Sequence, residues 1–274
     1  MQLCNIVEKK AGFRMKRKFL IVCFFLILFT AGCLIPGQKT PKKNPERELL
    51  RELAIGFKNR AYESSITICQ QFLEKYPQSK FKDGVLIRQG ESFEGLLKQE
   101  YQELVSEGMD EAKARANFLA KHEHYNCWEG EKEYLVYNKK VYRNLLEKNP
   151  DSHYADEASY HLIPWEKEYD EDPLRINQEI SSLEKLLTKY PSSSLRPKIL
   201  FQMGYRFHLL YELYSFSHHP AKRNQEKARD SLQQAEYLYK LCLNVPQGSE
   251  YSKKALHYLE LLKQETKIYI NPQP

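Results

Sequence analysis

The sequence predicts an all-α protein: a helical-repeat solenoid of about ten antiparallel helices, preceded by an export segment. Three observations predict it. Only 11 of 274 residues are glycine, and long stretches are rich in Glu, Lys, Leu, Gln and Tyr, which favours helix over sheet. Four segments end alike, in a proline followed by a serine: Phe72-Leu-Glu-Lys-Tyr-Pro-Gln-Ser79, Leu145-Leu-Glu-Lys-Asn-Pro-Asp-Ser152, Leu186-Leu-Thr-Lys-Tyr-Pro-Ser-Ser193 and Leu241-Cys-Leu-Asn-Val-Pro-Gln-Gly-Ser249. Before each proline, apolar residues recur at i, i+3, i+4 and i+7, the spacing of one helix face.

The N-terminus carries an export signal. Met15-Lys-Arg-Lys18 is a basic start, Phe19–Phe29 an apolar run, and Thr30-Ala31-Gly32-Cys33 a small-residue end. Translation can begin at Met15, since residues 1–14 add nothing that a signal needs. The Thr-Ala-Gly-Cys end resembles the bacterial lipobox, with Ala31, Gly32 and Cys33 matching and Thr30 standing where leucine is usual. The resemblance implies cleavage between Gly32 and Cys33, with lipid on Cys33. Each buried methylene contributes about 0.8 kcal/mol, so two or three acyl chains anchor a protein durably. A second reading is an uncleaved span, because Phe19–Ile35 is 17 uncharged residues, the lower limit for a bilayer of roughly 17–25. Either reading puts the body outside the cytoplasm. Leu34 follows the cysteine where, in lipoproteins of this kind, Asp favours the inner membrane. It points to the outer membrane, facing the periplasm.

Residues 33–45 read as a lipidated cysteine and flexible tether, with Pro36, Pro41 and Pro45 against helix. Residues 46–270 then form the irregular repeat domain. Its helices are expected at Pro45–Arg60, Ala61–Tyr76, Lys80–Ser106, Met109–Lys121, Glu131–Lys148, Tyr154–Tyr169, Ile176–Tyr190, Leu195–Ser215, Ala221–Asn244 and Tyr251–Ile268.

Counting back from Pro77, Pro150, Pro191 and Pro246, the core positions are Cys69, Tyr142, Leu183 and Leu238 at eight, and Phe72, Leu145, Leu186 and Leu241 at five. At four they are Leu73, Leu146, Leu187 and Cys242. The proline stops each helix, because the residue before it resists the helical region. Ser79, Ser152, Ser193 and Ser249 can N-cap the next. Gly90 and Gly204 each stand thirteen residues after a proline, within Leu86-Ile-Arg-Gln-Gly-Glu-Ser-Phe93 and Leu200-Phe-Gln-Met-Gly-Tyr-Arg-Phe207. Ile163-Pro164 replaces the glycine after the second proline, so that helix should kink or break there.

Apolar, glycine and aromatic at i, i+4 and i+7 resemble the first helix of the tetratricopeptide repeat, whose small residue lets paired helices approach closely. The chain thus resembles tetratricopeptide-repeat outer-membrane lipoproteins. Its Tyr-Pro-x-Ser helix ends are most similar to those of BamD-type outer-membrane assembly lipoproteins and of related Tol-Pal and cell-division repeat proteins. The resemblance implies a non-catalytic, lipid-anchored scaffold that holds envelope protein partners, the β-barrel assembly machinery first among them. Cell division, pilus or secretin piloting and polysaccharide export are the alternative tasks. The proline intervals of 73, 41 and 55 residues depart from the usual repeat of about 34, with insertions near 100–130 and 208–230.

Charge excludes one class of partner. Residues 1–32 hold six of the 42 basic residues and one of the 36 acidic ones. The body therefore carries 36 basic against 35 acidic side chains, with no basic stripe for nucleic acid.

No Gly-x-Ser-x-Gly, Walker loop or dinucleotide fingerprint is present, and no cofactor is called for. His122, His124 and Cys127 are the weak candidates for metal. Zinc prefers four such ligands and a fourth is missing, so a polar, aromatic loop is the simpler reading. His218-His219-Pro220 reads as a surface loop. The acidic run Glu166, Glu168, Asp170, Glu171, Asp172 could act on sugars only if paired at a fixed separation. Cys69 and Cys242 read as small core residues.

Overall fold

The structure is a computed structural model that describes residues 44–130, 135–165, 169–244 and 249–270. The export segment, Cys33, most of the tether, Glu166, Glu168 and Pro246 lie outside the described residues. The chain divides into residues 1–48 and 49–274. Within the first, the Asn44 side chain accepts the backbone N–H groups of Glu46 and Arg47 and so caps the helix that starts at Pro45.

The helices are α1 (Pro45–Lys58), α2 (Tyr62–Lys75), α3 (Lys82–Leu97), α4 (Glu103–Ser106), α5 (Glu111–His122), α6 (Lys140–Lys148), α7 (Ala155–His161), α8 (Pro173–Lys189), α9 (Arg196–Phe216), α10 (Gln225–Leu243) and α11 (Glu250–Lys263). A π-turn, Lys98–Gln102, carries α3 directly into α4. Among the described residues the second unit is an all-α bundle whose helices pack mostly on their sequence neighbours, as in helical repeats generally. No helix among the described residues is long and apolar enough to cross a membrane.

The proline-ended helices behave alike at their ends. The residue before the proline closes each of the first three, with Tyr76, Asn149 and Tyr190 donating to the carbonyls of Phe72, Leu145 and Leu186. The N–H of Ser79, Ser152 and Ser193 then donates to the carbonyl of that closing residue, at 3.1 Å in all three. Each serine hydroxyl accepts the N–H two residues on, at Phe81, Tyr154 and Leu195. Ser249 instead accepts from Ser252, as an N-cap to α11. Of the four serines expected to N-cap the next helix, only Ser249 does so; the N-caps of α3, α7 and α9 are Phe81, Tyr154 and Leu195, whose N–H groups the other three serines hold.

The serines also tie consecutive repeats together. Ser152 donates to Asp83 at 2.6 Å, and Ser193 donates to Asp156 at 2.5 Å. Asp83 and Asp156 each stand four residues after a motif serine, so one repeat's aspartate receives the next repeat's serine. Pro197 occupies the equivalent place in α9 and offers only its carbonyl, which accepts from the Cys242 thiol at 3.4 Å.

Core positions follow the serine rather than the proline. Ten residues before each serine stand Cys69, Tyr142, Leu183 and Tyr239, and seven before stand Phe72, Leu145, Leu186 and Cys242, all buried. The alignment of the fourth segment on its proline is therefore corrected: Leu241 is only half-buried, because Pro246-Gln-Gly-Ser249 has one residue more between proline and serine. Leu73, Leu146 and Leu187 are half-buried as well, so the apolar stripe is narrower than the spacing predicted.

Gly90 and Gly204 do allow close approach. A Cβ on Gly90 would overlap the Tyr142 ring, and one on Gly204 would come within 2.9 Å of the Tyr239 ring. Ile163 and Leu183 share a core at the corresponding pair. Glycine thus faces tyrosine in the first and last of these pairs. Helix α7 ends at His161, just before Ile163-Pro164, as the sequence implies.

The helix expected at Glu131–Lys148 is corrected. Trp128–Glu129 and Val136–Tyr137 pair antiparallel, and the helix begins only at Lys140. Leu135, Val136 and Tyr137 alternate buried, exposed, buried, which is the period of a strand. Lys139, at φ 57°, turns the chain out of it, and the Asn138 carboxamide accepts the Lys140 N–H. This inserted stretch is folded: Tyr125, Trp128 and Tyr137 pack around Phe93, and Phe118 packs on Trp128 and Tyr101. The end of the chain is shorter in helix than expected, since α11 stops at Lys263.

Candidate functional site

The first helices after the motif serines, α3, α7 and α9, bring polar side chains together. Arg88, Glu91 and Glu94 come from α3, Glu157 and His161 from α7, and Lys198 from α9. Arg88 Nη1 meets Glu91 Oε2 at 2.6 Å. His161 Nδ1 stands 3.0 Å from Glu94 Oε2, and its Nε2 3.8 Å from Glu91 Oε1. Burial pushes the Glu91 carboxyl above the usual range, against the pull of Arg88 and His161. Burial likewise pushes the Lys198 ammonium down, against the carboxylates of Glu157, Glu91 and Glu94, and its Nζ lies 4.0 Å from the centre of the Tyr160 ring. Ligand atoms of Glu91, Glu157 and His161 lie within 4.8 Å of one another, and this is the one such group among the described residues.

An open cavity of about 200 Å³ adjoins this cluster. Leu50, Leu53, Phe81, Val85 and Tyr154 supply its apolar wall, with Arg88 and Glu157 at its polar side. Farther along α9, Arg206 and Glu179 form a buried ion pair at 2.7 Å, with the Tyr169 hydroxyl donating to the same carboxylate. The guanidinium covers Trp165 at 4.7 Å. This pair fixes the α8–α9 contact and leaves the Trp165 ring half-buried.

The residues singled out in the sequence fall elsewhere. His122 is buried and its Nε2 meets Glu100 at 3.0 Å, whereas His124 is exposed against the Tyr125 ring. Cys127 is buried in the core, which pushes its thiol up to about 12. These three are not brought to a common point. Cys69 and Cys242 are free, buried thiols, raised by burial to about 12 and about 11.

The described part of the acidic run is structural. Asp172 caps α8, Asp170 pairs with Arg175 at 3.3 Å, and Glu171 accepts from Ser217 and meets His218 Nδ1 at 2.5 Å. That last contact ties the His218-His219-Pro220 loop down. Pro77, Pro150 and Pro191 follow the closing residues of their helices and lie on the exposed surface.

Sequence reasoning passed over Glu91, Glu157, His161 and Lys198. A signal was present: counted from the motif serines, Glu157 and Lys198 hold the same fifth position, and Arg88 and His161 the same ninth. That register marks one face of successive first helices. No protein-family profile matches the chain, and no curated protein matches it.

Proposed function

We propose that the chain is a lipid-anchored scaffold of the bacterial envelope, built of tetratricopeptide-like repeats, that binds protein partners rather than catalysing a reaction. The observation that carries this reading is the recurrence of one turn. Three times the chain closes a helix on a Pro-x-Ser turn with the same three backbone and hydroxyl hydrogen bonds, and twice the serine bonds back to the preceding repeat's aspartate. Repeats related in this way set their first helices side by side and offer a continuous face of unlike side chains. That face here combines charge, aromatic rings and a cavity with an apolar wall, which suits an anchored peptide segment better than a small substrate.

The finer reading is a BamD-type role in outer-membrane protein assembly, from an outer-membrane anchor at Cys33. It rests on the lipobox and the Tyr-Pro-x-Ser helix ends. Site-specific photocrosslinking in intact envelopes tests it. A photoreactive residue at Lys198 or Gln202 should trap β-barrel assembly components, while one at exposed Glu184 on α8 should not. Equal yields at both places would refute a binding face on the first helices. Cleavage of wall fragments by the pure chain would refute the non-catalytic reading. Replacing Cys33 with Ser should release the body from membranes or leave uncleaved precursor, and unaltered lipid labelling of that variant would move the anchor elsewhere.

A further inference from the structure

We propose that Glu91, Glu157 and His161 form a binding site for one divalent transition-metal ion of the zinc class, at the junction of α3 and α7. The donor set is one imidazole nitrogen and two carboxylates, with their ligand atoms already within 4.8 Å of one another. Tetrahedral donors at about 2.0–2.2 Å from zinc stand roughly 3.3–3.6 Å apart. Closing on the ion therefore takes inward movement of about 1 Å by half-buried side chains.

The surroundings of His161 are those of a metal ligand. A ligating histidine directs its other ring nitrogen to a carboxylate, which fixes the tautomer and the ring. Glu94 Oε2 stands 3.0 Å from Nδ1, so a proton held there leaves the Nε2 lone pair facing Glu91. The far face of the imidazole is packed as well: the Tyr142 ring stacks on it at 4.5 Å and 15°.

One further observation points to a ligand here. The Tyr142 hydroxyl is fully buried and makes no hydrogen bond. The charges acting on it are those of Glu94 and Glu91, and Glu94 approaches without closing a well-formed bond. A water carried by an ion at this junction would give that hydroxyl its partner. Arg88 engages one Glu91 oxygen, Oε2, leaving Oε1 on the side of His161.

Zinc titration of the full chain in detergent, followed calorimetrically, tests the site, with Co²⁺ absorption as the spectroscopic probe. One Zn²⁺ should bind per chain, and Co²⁺ should show nitrogen and oxygen ligation without a thiolate charge-transfer band. Glu157→Gln and His161→Gln should each weaken Zn²⁺ binding at least tenfold. Glu94→Gln, acting only through His161, should weaken it by about 10–100-fold. Melting with chelator present checks that each variant folds; if His161→Gln does not, Glu157→Gln decides. His124→Ala and Cys127→Ser should leave the affinity unchanged. Absence of Zn²⁺ binding would overturn the assignment. So would wild-type affinity in Glu157→Gln, or loss of binding in Cys127→Ser.

Discussion

Single residues in this chain are decided by which atoms they meet across the repeat junction. Leu183 is fully buried, whereas Leu187, one turn on, is half-buried. Leu183→Ala should cost roughly 2–5 kcal/mol, the range for a buried leucine whose cavity does not collapse, and Leu187→Ala clearly less. Denaturant midpoints of the two variants measure the difference, and equal losses would place the apolar stripe wrongly. His208 gives a pH signature. It is buried on α9, and desolvation holds its imidazole down at about 4. The unfolded chain binds that proton near pH 6.5 and the folded chain does not, so the stability from neutral His208 is present at pH 7 and falls as pH drops toward 4. Between pH 7 and pH 5 the loss from this group is about 2 kcal/mol. Glu212 lies 3.6 Å from it and burial raises its carboxyl, which works in the opposite sense on further acidification. His208→Leu should therefore flatten the pH dependence of the unfolding free energy between 5 and 7, and an unchanged slope would remove His208 from the account.

At the scale of the element, what could be read in advance was what short-range rules write down. A proline after a closing residue and a serine two on make a turn wherever they occur, so Tyr76, Asn149 and Tyr190 end their helices as the sequence implied. Glycine among large residues marked close packing at Gly90 and Gly204, though nothing local named Tyr142 and Tyr239 as the rings that fill the space. The hairpin at Trp128–Tyr137 was missed because Leu-Val-Tyr alternates over too few residues to outweigh the helical Lys-Lys-Val-Tyr that follows. The candidate site was hidden for a related reason. Glu91 and His161 are seventy residues apart and meet only when one repeat is laid on the next. The aspartate-to-serine bond is what lays them so. Ser152 gives a proton to Asp83 and receives one from the Tyr154 amide, so Ser152→Ala should cost about 1–2 kcal/mol. Asp83→Ala in the same background should add only what its other bond, donated by exposed Asn149 at 2.7 Å, contributes. A double-mutant cycle read from chemical denaturation checks this, and full additivity would mean that the two side chains do not interact.

Across the whole second unit, the chain's last described segment does work that no sequence pattern announces. After α11 it returns to α9, where the Glu212 carboxyl, itself buried, accepts the N–H groups of Ile268 at 2.6 Å and of Tyr269 and Ile270 at 2.9 Å. The Tyr269 hydroxyl accepts the Glu171 N–H in turn, and Ile270 is buried. The partners lie 56–58 residues apart, so the clamp depends on the stack being complete. Ending the chain after Thr266 would leave a buried carboxyl with no donors from the tail and with His208 as its near neighbour. Losing one side of a buried charged contact costs about 3–5 kcal/mol, more than the tail's apolar contacts alone would suggest. A truncated chain should therefore melt well below the full one. Glu212→Met in the truncated chain should recover part of the loss, because it removes the group left unsatisfied. The same substitution in the full-length chain should destabilise, since it strands three backbone donors. Opposite signs of one substitution in the two backgrounds are the result expected from this clamp, and a common sign would show that the tail is held by its side chains instead.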